Sequence, residues 1–175
     1  MTIQAENGRI TARFAYLGGN MWYETLKALK GAINEVNSNV EVSLGAIPPQ
    51  HLDVGIGGHV ILMRGDEALG NAKDTRTLDV TVYLEAWVRE DSPKLEYGYA
   101  SLSELEKTVD KALTHLRERV TKLDTKYCVL DEQYQLMDLV VERRIGDADS
   151  IRPHVGSQYT IRCKLYSLID NLDIW

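Results

Sequence analysis

The chain has 175 residues, 44% apolar and 26% charged, a balance that excludes a disordered or fibrous protein and suits one α+β core. Its formal net charge of −6 disfavours a surface that grips nucleic-acid phosphates or anionic lipid, because both need clustered cations, although an acidic wall would let DNA slide past. The opening Met-Thr-Ile-Gln-Ala-Glu has no basic or apolar leader, and no run approaches the ~18 apolar residues of a membrane span, so a soluble cytoplasmic chain without membrane contact is expected.

In chain order, residues 3–15 alternate around Asn7-Gly8, the dipeptide best suited to positive φ at both centres of a tight turn, which predicts an N-terminal β-hairpin. Gly18-Gly19 breaks that pattern. Asn20 can then cap a helix whose apolar residues Trp22, Leu26, Leu29, Ile33 and Val36 recur at helical spacing, ending near 37–39. Residues 40–44 alternate as a strand that Pro48-Pro49 stops, and 59–63 form a short apolar run that reads as another strand.

The clearest strand covers 78–88. Leu78, Val80, Val82, Leu84, Ala86 and Val88 point to a core face, and Asp79, Thr81, Tyr83, Glu85, Trp87 and Arg89 to the other. Ser101-Leu-Ser-Glu104 has the form of a capping box, followed by the apolar stripe Leu102, Leu105, Val109, Ala112, Leu113, Leu116 and Val120, so a helix over 102–120 is expected to start there. Two β-rich stretches between 127 and 144 are interrupted at Asp131-Glu132, and 159–169 alternates with Tyr159, Ile161, Cys163, Leu165 and Ser167 on one side. The layer logic of this order gives an antiparallel-rich mixed sheet with two helices packed on one face, plus the N-terminal hairpin; segments 64–76 and 145–157 read as polar, projecting connections.

Candidate chemistry is sparse. Gly55-Ile-Gly-Gly58 lacks the third glycine of a dinucleotide fingerprint, which would fall at Val60, and the phosphate-loop lysine; it reads as a turn. His51, His59, His115 and His154 show no metal-ligand spacing, and His115 is expected near the solvent edge of the helix stripe. Cys128 and Cys163 fall in strand-like apolar runs, as two reduced core thiols would. Asp131 with Glu132, and Glu6, Glu67 and Asp74, read as solvated turn carboxylates, Arg64-Gly-Asp66 as a chance tripeptide, and no serine sits in a nucleophile elbow. No enzyme, metal or cofactor is expected; the competing reading is a site assembled from scattered residues such as His51, Asp53, His59 and Glu85.

The features that suggest a partner are the second face of the 78–88 strand, where Tyr83, Glu85, Trp87 and Arg89 combine aromatic and charged groups, and the long connection carrying Arg64, Asp66, Glu67, Lys73, Asp74 and Arg76. The strand face is either an interface or covered by another part of the chain, such as the hairpin; the connection is either decoration or a partner contact. The succession of a helix over 22–36, a strand and proline-containing stretch over 40–49, the 78–88 strand, the 102–120 helix and late strands ending near 169 resembles the tail terminator or tail completion proteins of tailed bacteriophages, over about residues 20–170. Length gives one domain over 1–175, in which 20–170 is the part that resembles the family, 1–19 a hairpin extension and 171–175 a tail; the hairpin and the 64–76 connection are expected to depart from shorter members of that family. The resemblance implies a virion tail or neck protein, assembled in the bacterial cytoplasm as a homo-oligomeric ring, typically a hexamer. Such a ring caps the tail tube and meets a neck or head completion protein, with DNA only as passing cargo.

Overall fold

The computed structural model describes residues 21–48, 51–71, 74–147 and 151–168. The expected hairpin around Asn7-Gly8, the Asn20 cap, Lys73 and the 171–175 tail lie outside these residues. The elements in order are α1 (Met21–Val36), β1 (Glu41–Leu44), β2 (His59–Asn71), β3 (Asp74–Arg89), α2 (Leu95–Thr121), α3 (Thr125–Cys128), β4 (Val129–Leu130), β5 (Tyr134–Gly146) and β6 (His154–Ser167). The strands form one mixed sheet in the order β1-β2-β3-β6-β5-β4, in which only β1 and β2 are parallel. This is the α+β fold expected, with α1 and α2 on one face.

Helical and strand periodicities meet in one core. Leu26, Leu29 and Ile33 of α1, and Leu105, Val109, Leu113 and Leu116 of α2, pack on Val60, Leu62, Val80, Val82, Leu84 and Ala86, with Tyr159, Ile161, Cys163 and Leu165 continuing the same face. Burying each such aliphatic side chain is worth about 1.5–3 kcal/mol. Within α1 the Thr25 hydroxyl donates to the Met21 carbonyl at 2.8 Å, and beyond its end the Asn39 amide donates to the Asn37 side chain at 3.0 Å, which turns the chain into β1.

Three expectations need correction. First, α2 starts at Leu95, more than a turn before Ser101, so the capping box lies inside the helix. Glu104 instead accepts from Lys107 at 2.6 Å, while its carbonyl accepts from the Thr108 hydroxyl at 3.1 Å. The helix is launched by a turn in which Glu90 accepts from the Ser92 amide at 2.8 Å and the Ser92 hydroxyl accepts from the Lys94 amide at 3.1 Å, around Pro93. Gly98 then lets the first turns lie against the sheet, because a Cβ there would come within 3.0 Å of Val155.

Second, 64–76 is not a projecting loop: β2 and β3 continue as a paired ribbon to Asn71 and Asp74, with a register shift between Arg64 and Glu67 absorbing the residues that break the alternation. Third, both ends of 145–157 are strand, since β5 runs to Gly146 and β6 begins at His154; Val155, Gly156 and Ser157 are buried. The break at Asp131-Glu132 is as expected. Both residues have positive φ, 50° and 57°, and the Gln133 amide donates to the Leu130 carbonyl at 3.1 Å, within the three-residue connection 131–133 that joins the paired Leu130 and Tyr134.

Candidate interaction surface

Among the described residues, the sheet face opposite the helices is covered at one end and open elsewhere. The covered end is a small cluster of Leu52, Ile61 and Trp87, flanked by Ile47, Val54, Met63 and Ile151. Ile47, Leu52 and Val54, from the connection between the parallel strands, lie on the face here. Trp87, expected on an exposed outer face, is only 4% exposed. Its ring lies over Gly156, its partner on β6, where a Cβ would come within 2.3 Å of the indole. The alternation put Trp87 on the correct face, but the cover comes from the 45–58 connection and Ile151.

Glu85 anchors this arrangement by accepting from the Trp87 indole at 3.0 Å and from the Gln158 amide at 2.6 Å. His59 anchors it from the other side. Ser43 Oγ lies 2.6 Å from His59 Nε2, the Asp53 carbonyl lies 3.1 Å from Nδ1, and the Glu41 carboxylate is 3.7 Å from Nδ1. A serine–histidine pair with an oriented ring has the outline of a nucleophile and base. Here the imidazole is 3% exposed and its contacts tie β1, β2 and the 53–58 turn together. Of the scattered residues that could have formed an enzyme site, Asp53 offers its carbonyl and Glu85 has both oxygens engaged, while His51 is exposed.

The Gly55–Gly58 stretch is the expected turn. The Gly58 amide donates to the Gly55 carbonyl at 3.0 Å, Gly58 has φ +85°, and a Cβ on Gly57 would approach the Asn39 carbonyl oxygen to 2.3 Å. A cleft between α1 and α2, lined by Ala32, Glu35, Val36, Lys111, His115 and Arg119, encloses only about 130 Å³. That is short of the ~300–1,000 Å³ of a small-molecule site. Among the described residues no group of three or more His, Cys, Asp or Glu could hold a metal ion, and no helix is long and apolar enough to cross a membrane. Cys128 and Cys163 are free and buried, and burial pushes the Cys163 thiol up to about 12.

Beyond the Trp87 cluster the outer face is polar and, among the described residues, open. Tyr83, 40% exposed, faces Thr160 across the β3–β6 pair. Arg162 donates to Glu142 at 2.5 Å and approaches Asp79 at 4.0 Å, tying β5, β6 and β3 together with charge. The other residues expected at a contact surface do not join this patch. Arg64 pairs with Glu67 at 2.9 Å and lies 4.8 Å over the Trp22 ring, on the helix side. Asp66 is exposed at the register shift, Arg76 donates to the Tyr166 hydroxyl at 3.2 Å, and Arg89 pairs with Asp91 at 3.2 Å at the strand's end. Asp74 starts β3, and its side chain lies outside the described residues.

Among the described residues the sheet has two open edges, which no local pattern in the sequence marks. β1 pairs with β2 only from His59 to Leu62, so among the described residues 63–71 has β3 as its single neighbour. At the other side β4 pairs only with Tyr134 and Gln135, so among the described residues 136–146 of β5 has β6 alone. Along that second edge Met137, Val141 and Ile145 are 47%, 37% and 42% exposed. The local pattern shows that these are strands; their place at an edge follows from pairing partners distant in sequence.

No protein-family model matches the chain, and no curated protein matches it. Among solved structures, a chain of the virion of a native gene transfer agent particle is similar with a TM-score of 0.38 and 12% identity, over 81% of this chain and 93% of that one.

Proposed function

We propose that this protein is a structural assembly protein of a phage or phage-like tail, forming a ring that caps the tail tube, ends its polymerisation and offers the joining surface to the neck or head. The observation that carries the assembly reading is the pair of strands on opposite sides of one sheet, 63–71 and 136–146, that have no outer neighbour among the described residues. Unpaired strand edges template further pairing unless something covers them, and two different edges on one subunit make a head-to-tail contact, the kind that generates rings. The tail assignment rests on the order of elements over about residues 20–170, which resembles that of tail terminator proteins, where the ring is typically a hexamer.

The open face, with its Asp79, Glu142 and Arg162 network, and the net charge of −6 suit a wall past which DNA moves without binding. The partners in this reading are other copies of the chain, a tail-tube protein and a neck or head completion protein. The test is to add the purified protein to polymerising tail-tube protein of the same particle and measure tube lengths by electron microscopy. Capping predicts that growth stops and that tube ends carry an extra ring. Tubes that elongate unchanged at saturating protein would overturn the reading.

A further inference from the structure

We infer that the contact between copies is an antiparallel junction in which the open edge of β5 in one subunit pairs with the open edge of β2 in the next, with Arg143 of one facing Asp66 of the other. The inference rests on the ring reading above and names the surface that would close it.

Strand direction comes first. β2, β3, β6 and β5 are successively antiparallel, so β5 runs opposite to β2. A rotation about an axis parallel to the strands preserves direction and brings the next β2 beside β5 as an antiparallel neighbour, the commoner and slightly more stable pairing. Height comes second. Met63, Tyr83, Thr160 and Arg143 share one row across the sheet, and Ala68, Asp79, Lys164 and Asp138 share another. The two open stretches therefore lie at the same level. A neighbour reaches one edge from the other by rotation without rise, the condition for a closed ring in place of a helical filament.

Side chains supply the third observation. Register shifts at Arg64/Glu67 on β2, and at Leu136/Asp138 and Val141/Arg143 on β5, are devices that block indiscriminate edge pairing. The two edges nevertheless carry complementary groups. Arg143 and Asp66 are exposed and make no ion pair among the described residues. Asp66 lies at the bulge between the rows of Arg64 and Glu67, about two rows from the Met63 row that Arg143 shares. That is a diagonal cross-strand relation, about 7–8 Å between backbones and within reach of an arginine. The half-exposed Met137, Val141 and Ile145 would lose water at the same junction.

The test uses the full chain with Asp66→Cys, Arg143→Cys and the double variant, each treated with a short bismaleimide. The native thiols Cys128 and Cys163 are buried, and within one chain the two edges are about 14 Å apart, three strand spacings, beyond a short linker. The expected result is a covalent ladder up to the ring's subunit number from the double variant, dimers from a mixture of the two single variants, and no cross-linked product from either single variant alone. A charge exchange gives a second readout. Arg143→Asp should weaken assembly roughly fivefold per interface, and adding Asp66→Arg should restore it.

A ring that assembles but shows neither cross-links nor rescue would overturn the junction and leave the ring reading standing. Cross-linking of Arg143→Cys with itself would show a two-fold β5–β5 contact and overturn the junction as well. A wild-type chain that remains monomeric even on tail tubes would overturn both.

Discussion

Trp87 is buried because the residue opposite it on β6 is Gly156, whose bare backbone provides a floor for the indole. Strand alternation in the sequence assigns Trp87 to the outer face correctly, but not its cover: Leu52 lies 35 positions away by its number and Ile151 is on another connection. Trp87→Ala is expected to lower unfolding free energy by about 3–5 kcal/mol, and Gly156→Ala, which must displace the ring, by about 1–3 kcal/mol, both read from denaturant curves. Tyr83, its neighbour on the same face, is 40% exposed, and Tyr83→Ala should leave those curves almost unchanged. Cys163 was legible as a core thiol because it sits on the buried phase of an alternating strand. Burial raises its pKa from 9.0 to about 12, so the folded state holds the proton more tightly than the unfolded state. This contribution is fully present below pH 9 and is lost as pH climbs from 9 towards 12. Between pH 8 and pH 10 the wild type should lose about 1 kcal/mol more stability than Cys163→Ala, a difference in slope that chemical denaturation at the two pH values measures.

At the scale of elements, periodicity located the two long helices and the central strands, because the residues that set the period are the ones the core selects. Boundaries were less legible. The Ser101–Glu104 pattern is a capping box in spelling only, since the chain upstream already has its own launch at Glu90, Ser92 and Pro93 and the helix is running by Leu95. The 64–76 stretch looked like a loop because a register shift and polar residues conceal a ribbon whose pairing is supplied by β3. Packing of α2 on the sheet through Leu113 is expected to make Leu113→Ala cost about 2–5 kcal/mol; a loss under about 1 kcal/mol would contradict the assigned core. At the β4–β5 turn, Glu132 holds φ 57° without the freedom of glycine, so Glu132→Gly should raise stability by about 1 kcal/mol, measured as an upward shift in the denaturation midpoint.

For the whole molecule, the sequence carried the layer order but not which strands end the sheet. Edge status depends on β1 pairing with only the first residues of β2 and on β4 pairing with only the first residues of β5. No local signal in 63–71 or 136–146 records those short neighbours. The expected contact residues come from an aromatic face that is partly self-covered and from the 64–76 connection, which pairs as a ribbon. Head-to-tail assembly through two different edges closes at one subunit number set by the angle between neighbours, whereas a two-fold contact stops at a dimer. The most direct measurement is native mass spectrometry of the wild-type protein across a wide concentration range, alone and after capping tail tubes. The account predicts one closed stoichiometry above the dimer, six copies in the tail-terminator reading, with intermediates vanishing as concentration rises. A strict monomer or dimer under every condition, or an unbounded ladder of sizes, would contradict it.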